Sequence, residues 1–95
     1  MSRTDFLVHA ASDTVGVVVT EEAATGRELI GWIMETDETV TVTAKDDIPL
    51  GHKVALADIK RGDTIVKYGH DIGKAVADIQ KGGHAHVHNV KTKRW

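Results

Sequence analysis

Ala57-Asp58-Ile59-Lys60-Arg61-Gly62 returns twenty positions later as Ala77-Asp78-Ile79-Gln80-Lys81-Gly82, each copy lying between two short apolar stretches. A fixed offset of this kind marks a duplicated supersecondary unit. In each copy the Asp can cap a single helical turn, the Ile can plug that turn into a core, and the Gly can take the positive φ that sends the chain back into a strand. The unit therefore reads as strand, Asp-Ile-x-x-Gly corner, strand. The same offset aligns Thr64-Ile65-Val66-Lys67-Tyr68-Gly69 with His84-Ala85-His86-Val87-His88-Asn89, so the second copy carries three histidines where the first has ordinary strand residues.

Upstream of the repeat, β-branched and apolar residues cluster over Phe6–Ala11 and Thr14–Thr20 on either side of Ser12-Asp13, and again over Leu29–Glu35. All three read as strands. Thr39-Val40-Thr41-Val42-Thr43-Ala44 alternates strictly, which places Val40, Val42 and Ala44 on one face. Val54-Ala55-Leu56 forms the strand that enters the first corner. Thr36-Asp37-Glu38 and Asp46-Asp47-Ile48-Pro49-Leu50-Gly51 carry turn chemistry. No stretch offers the continuous run of about 10–12 residues at helical period that a true helix needs. The expected fold is mostly β, a compact barrel-like or clip-like domain with one or two short helical turns.

Composition narrows the function. Ninety-five residues predict one domain spanning 1–95. Twelve Lys+Arg against fourteen Asp+Glu leave a net charge of −2, which argues against a nucleic-acid or anionic-membrane coat. Aromatic residues are only 4%, so the core must be aliphatic. With no cysteine there is no thiolate nucleophile, disulfide or Cys-metal site, and the chain suits a reducing compartment. The N-terminus lacks an apolar signal region and no run approaches the about 20 residues of a membrane helix. These features predict a cytoplasmic protein.

The histidines are the candidate chemistry. Alternation puts His84, His86 and His88 on one face of a strand, with neighbours about 6.6 Å apart, near enough for imidazoles to converge on one ion. A solvated polar edge strand, extended by Asn89, accounts for the same row. Gly51-His52-Lys53 opens a strand where an imidazole and a cation could meet an anionic ligand, or where both are simply exposed. In Tyr68-Gly69-His70-Asp71-Ile72-Gly73 two glycines predict a tight loop, in which Asp71 could orient His70 as a base or merely cap the turn. The basic C-terminal run Lys91–Trp95 suits either a loose tail or an anchor in a partner.

Taken in order, Gly51-His52-Lys53-Val54-Ala55-Leu56-x-Asp58-Ile59-x-x-Gly62, Ile65-Val66-Lys67-Tyr68-Gly69-x-x-Ile72-Gly73, Ala77-Asp78-Ile79-x-x-Gly82 and His84-x-His86-x-His88-Asn89 resemble the SAF domain of the altronate and galactarate dehydratase family. The resemblance is dense over about residues 48–95 and weak before them. The free-standing length, the wording Tyr68–Gly73 and the ending His88–Trp95 are similar to the small subunits of the family's sulfo-lyase branch. In fused dehydratases a proline tends to replace Asp71 and the chain runs on into a large domain.

The resemblance implies a β-clip fold and a heteromeric carbon–sulfur lyase whose separate large subunit carries most of the active site. It implies a sulfonated hydroxy acid, sulfolactate, as substrate, with proton removal next to the carboxylate followed by β-elimination. It also implies a divalent metal, Fe²⁺ ahead of Mn²⁺ or Mg²⁺, shared with the large subunit in a higher-order hetero-oligomer. On these terms His84, His86 and His88 are the candidate metal ligands. His52 and His70 are the candidate catalytic groups, and His52, Lys53 and Asn89 the candidate substrate contacts. Two alternatives stay open: a part of a sugar-acid dehydratase, and a non-catalytic sugar-acid-binding module.

Overall fold

The computed structural model describes residues 4–67, 70–85 and 90–91. Among the described residues nine strands follow one another: β1 (Phe6–Val8), β2 (Val15–Val18), β3 (Glu28–Ile33), β4 (Glu38–Thr43), β5 (Lys53–Ala55), β6 (Thr64–Lys67), β7 (His70–Ala75), β8 (His84–Ala85) and β9 (Val90–Lys91). They build a six-stranded sheet in the order β4-β3-β1-β2-β5-β8 and a three-stranded sheet in the order β6-β7-β9. The larger sheet is mixed, because β1 pairs with β3 in parallel and with β2 antiparallel.

Side-chain alternation divides the core between the two faces of the large sheet. Phe6, Val8, Val18, Leu29, Val42 and Val54 pack on one face. Val15, Ala55 and Ala85 face the other way, against Ile65 and Ala75 of the small sheet and the corner residues Ile59 and Ile79. In this aromatic-poor core Phe6 is fully buried, and its ring lies over Gly31 and Gly16, where any Cβ would meet ring carbons.

The duplicated sequence folds into a duplicated structure. Val54 pairs with His84 and Lys53 with Ala85; twenty residues along, Lys74 pairs with Thr64 and Gly73 with Ile65. An approximate two-fold relation thus exchanges β5·β8 with β7·β6. At its centre Ile59 and Ile79 exchange backbone hydrogen bonds of 2.7 Å in both directions. Around it the corners cap each other: the Arg61 N–H donates to Asp78 Oδ1 at 2.8 Å and the Lys81 N–H to Asp58 Oδ1 at 2.9 Å. The two aspartates were expected to cap their own turns, and each instead caps the opposite corner.

Two local expectations change. The corners are hydrogen-bonded turns, and the described residues contain no helix where one or two short helical turns were expected. The supposed loop at His70–Gly73 is the beginning of β7, which pairs with β6 across an irregularity at Ile65/Val66. The repeat explains this, because residues 73–75 occupy the place that 53–55 hold in the first copy.

Candidate functional site

His52 and His84 come together at the margin of the large sheet. His52 precedes β5 at the end of the Pro49 turn, where its N–H donates to the Pro49 carbonyl at 3.0 Å and its carbonyl accepts from the Val18 N–H at 2.8 Å. His84 opens β8, and its N–H donates to Asp46 Oδ2 at 2.9 Å. The antiparallel pairing of Val54 with His84 carries His84 to the Val54 side of the sheet, which is also the side of His52, two residues earlier.

The rings meet with His52 Nδ1 2.8 Å from His84 Nε2, their centroids 5.0 Å apart and their planes 29° from parallel. Only one hydrogen fits between nitrogens at that separation, so one of the two facing atoms must offer a lone pair. The observed 2.8 Å is the length of one direct N–H···N bond, in which the facing lone pair points at the partner nitrogen. Among the described residues no group of three or more His, Cys, Asp or Glu side chains gathers into a metal site.

The other candidates fall differently. Alternation sets Lys53 on the opposite face of β5 from His52, between Val17 and Ala85. His70 begins β7 opposite Lys67 in the small sheet, and its side chain lies outside the described residues. His86, His88 and Asn89 also lie outside them, so the expected histidine row is represented by His84 alone.

In their place the structure brings Lys45, Asp46, Gln80 and Gly83 to His84, around an open pocket of about 300 Å³. A second, larger cleft of about 650 Å³ runs from the β3–β4 hairpin to the two corners and shares Lys45, Asp78, Ile79 and Gln80 as walls. The segment that supplies Lys45 is tied at three successive residues. The Lys45 N–H donates to the Gly82 carbonyl at 2.9 Å, Asp46 receives the His84 N–H, and Asp47 Oδ1 receives the Thr25 N–H at 2.8 Å and hydroxyl at 2.9 Å. The Thr25 backbone and side-chain bonds hold the Asp47 carboxyl below its ordinary value of 3.8. Sequence reasoning saw only turn chemistry in Asp46-Asp47 and passed over Lys45 and Gln80, which have no local pattern to mark them.

An open mixed sheet joined to a duplicated corner-and-strand unit, with a histidine pair at its margin, is the frame on which comparison with known proteins bears. The chain belongs to the altronate/galactarate dehydratase SAF domain family, whose model matches residues 4–93. It is 53% identical over 91 residues to the (2R)-sulfolactate sulfo-lyase subunit alpha of Chromohalobacter salexigens, covering 96% of this chain and 97% of that one. To the subunit of the same name from Paracoccus pantotrophus it is 65% identical over 54 residues, 57% of this chain and 81% of the other. The altronate dehydratase of Bacillus subtilis is 58% identical over 53 residues, which make up 56% of this chain and 11% of that longer protein. No helix among the described residues is long and apolar enough to cross a membrane.

Proposed function

We propose that this chain is the small subunit of a heteromeric carbon–sulfur lyase that converts (2R)-3-sulfolactate to pyruvate and bisulfite, completing an active site whose remaining residues belong to a separate large subunit. The observation that carries the proposal is the His52–His84 pair, set beside an open pocket in a chain that matches a sulfo-lyase alpha subunit almost end to end.

The reaction asks for two things. The C2–H bond beside the carboxylate gives its proton to a base while its electron pair becomes the C2=C3 double bond; the C3–S bond breaks with its pair on sulfur, releasing sulfite and leaving enolpyruvate, which takes a proton at C3 and gives up its hydroxyl proton to become pyruvate. The first requirement is a base with a lone pair at neutral pH, and imidazole is the side chain suited to it. His52 and His70 are the proposed catalytic groups. The second requirement is positive charge beside the carboxylate, which gains negative charge as the proton leaves.

His84, His86 and His88 are the proposed ligands of a divalent ion such as Fe²⁺; when bound, that ion would supply the positive charge. Mn²⁺ and Mg²⁺ fit the same role less well, because imidazole suits iron better than it suits magnesium. Asn89 is a proposed substrate contact, and the assembly is proposed to be cytoplasmic. A dehydratase acting on sugar acids would run the same proton abstraction and expel water, and the match to altronate dehydratases keeps that as the second reading.

The test is co-expression with a sulfo-lyase large subunit, followed by parallel assays. Equimolar bisulfite and pyruvate from sulfolactate, absent when either chain is omitted, is the expected result. Turnover of altronate or galactarate without bisulfite release from sulfolactate would overturn the proposal in favour of the second reading.

A further inference from the structure

We infer that Lys45, on the segment after β4, is the residue of this chain that binds the anionic end of an acid substrate, a carboxylate or sulfonate placed in the pocket beside His84. The inference rests on the lyase reading for the identity of the acid, and on geometry for the residue.

Lys45 stands where the pocket beside His84 and the larger cleft meet, and it lines both. Its backbone is held to the strand-bearing segment it serves: the Lys45 N–H donates to the Gly82 carbonyl and the His84 N–H to the neighbouring Asp46 carboxylate, which ties residues 45–46 to residues 82–84. Asp47 fixes the other end to Thr25 with two further bonds. A cation on a segment anchored in this way is pre-positioned relative to the His84 backbone. Gln80, which lines the same pocket, adds an amide that can donate to the same oxygens, and the two carboxylates of the lining, Asp46 and Asp78, accept the His84 and Arg61 N–H groups. Lys53, next to His52 in sequence, is carried by alternation to the other face of β5. An ammonium facing an anionic group makes its charge-assisted hydrogen bond already in the ground state, while the growing charge beside the carboxylate would be met by the bound ion. Its loss should therefore fall on binding.

Two measurements test this. In the assembled enzyme, Lys45→Met should raise KM for sulfolactate about tenfold or more with kcat within about threefold, Lys45→Arg should recover part of the loss, and Lys74→Met should leave both unchanged. In the full 95-residue chain labelled with ¹⁵N, titration with sulfolactate should shift the Lys45, Gly83 and His84 amides, and Lys45→Met should abolish those shifts. Unchanged KM in Lys45→Met, the same KM loss appearing in Lys53→Met instead, or amide shifts that are absent or indifferent to Lys45→Met would each overturn the inference. Absence of bisulfite from the wild-type assembly counts against the lyase reading alone, because the titration reads the contact at Lys45 without turnover.

Discussion

Gly62 and Gly82 end the two corners with nearly the same backbone, φ +92° and +88°, but a methyl group added at each would meet different surroundings. At Gly62 nothing lies within 4 Å of the added Cβ, whereas at Gly82 it falls on the Thr43 carbonyl oxygen, nearer than real Cβ atoms come. An alanine forced into the left-handed region costs about 1–2 kcal/mol. That is the whole expected cost of Gly62→Ala. Gly82→Ala carries the same cost plus that of displacing a backbone carbonyl, about 1–3 kcal/mol on the scale of overpacked sites. At about 4–8 °C per kcal/mol for a domain of this size, Gly82→Ala should melt at least about 4 °C below Gly62→Ala. Thermal unfolding of the two variants followed by circular dichroism measures the gap. Equal melting temperatures would refute the reasoning, because they would mean that the second corner does not rest on the end of β4. Since Gly82 also accepts the Lys45 N–H, the same substitution should disturb the pocket beside His84, and Gly62→Ala should not.

Removing either cross-cap, Asp58→Ala or Asp78→Ala, should cost about 1 kcal/mol by urea unfolding, in the range of lost side-chain caps, and the double variant should cost measurably less or more than the sum because both bonds join the same two corners. Acidification should weaken the fold through Asp47: its folded carboxyl titrates below its ordinary value, so the Thr25 attachment contributes fully above about pH 4 and is lost as pH falls through the lowered value. Asp47→Asn should flatten that part of the stability–pH curve, and an unchanged curve would show that the bond to Thr25 carries no linkage.

The sequence revealed what is periodic or repeated. Strict alternation over Thr39–Ala44 foretold β4 and its buried Val42, and the Asp-Ile-x-x-Gly repeat foretold the two corners with Ile59 and Ile79 in the core. It did not reveal what the corners do to each other. A local reading assigns an aspartate to its own turn, and only the antiparallel meeting of Ile59 with Ile79 brings Asp58 to Lys81 and Asp78 to Arg61. The site follows the same rule. His52 and His84 are 32 residues apart and meet through the β5·β8 ladder, a pairing that no local pattern encodes. Adjacency in sequence pointed to Lys53 as the companion of His52, and strand alternation works against it. The cation beside His84 comes from the far side of the sheet order, at the end of β4, where composition reads only as a turn.

The pairing of His52 with His84 is the claim on which the functional account depends most, and a double-mutant cycle on the assembled enzyme tests it directly. His52→Ala and His84→Ala should each lower kcat/KM by about 100-fold or more, and the double variant should be scarcely worse than either, as expected for two groups that act as one unit. Losses that multiply in the double variant, or a single variant that retains wild-type turnover, would contradict it.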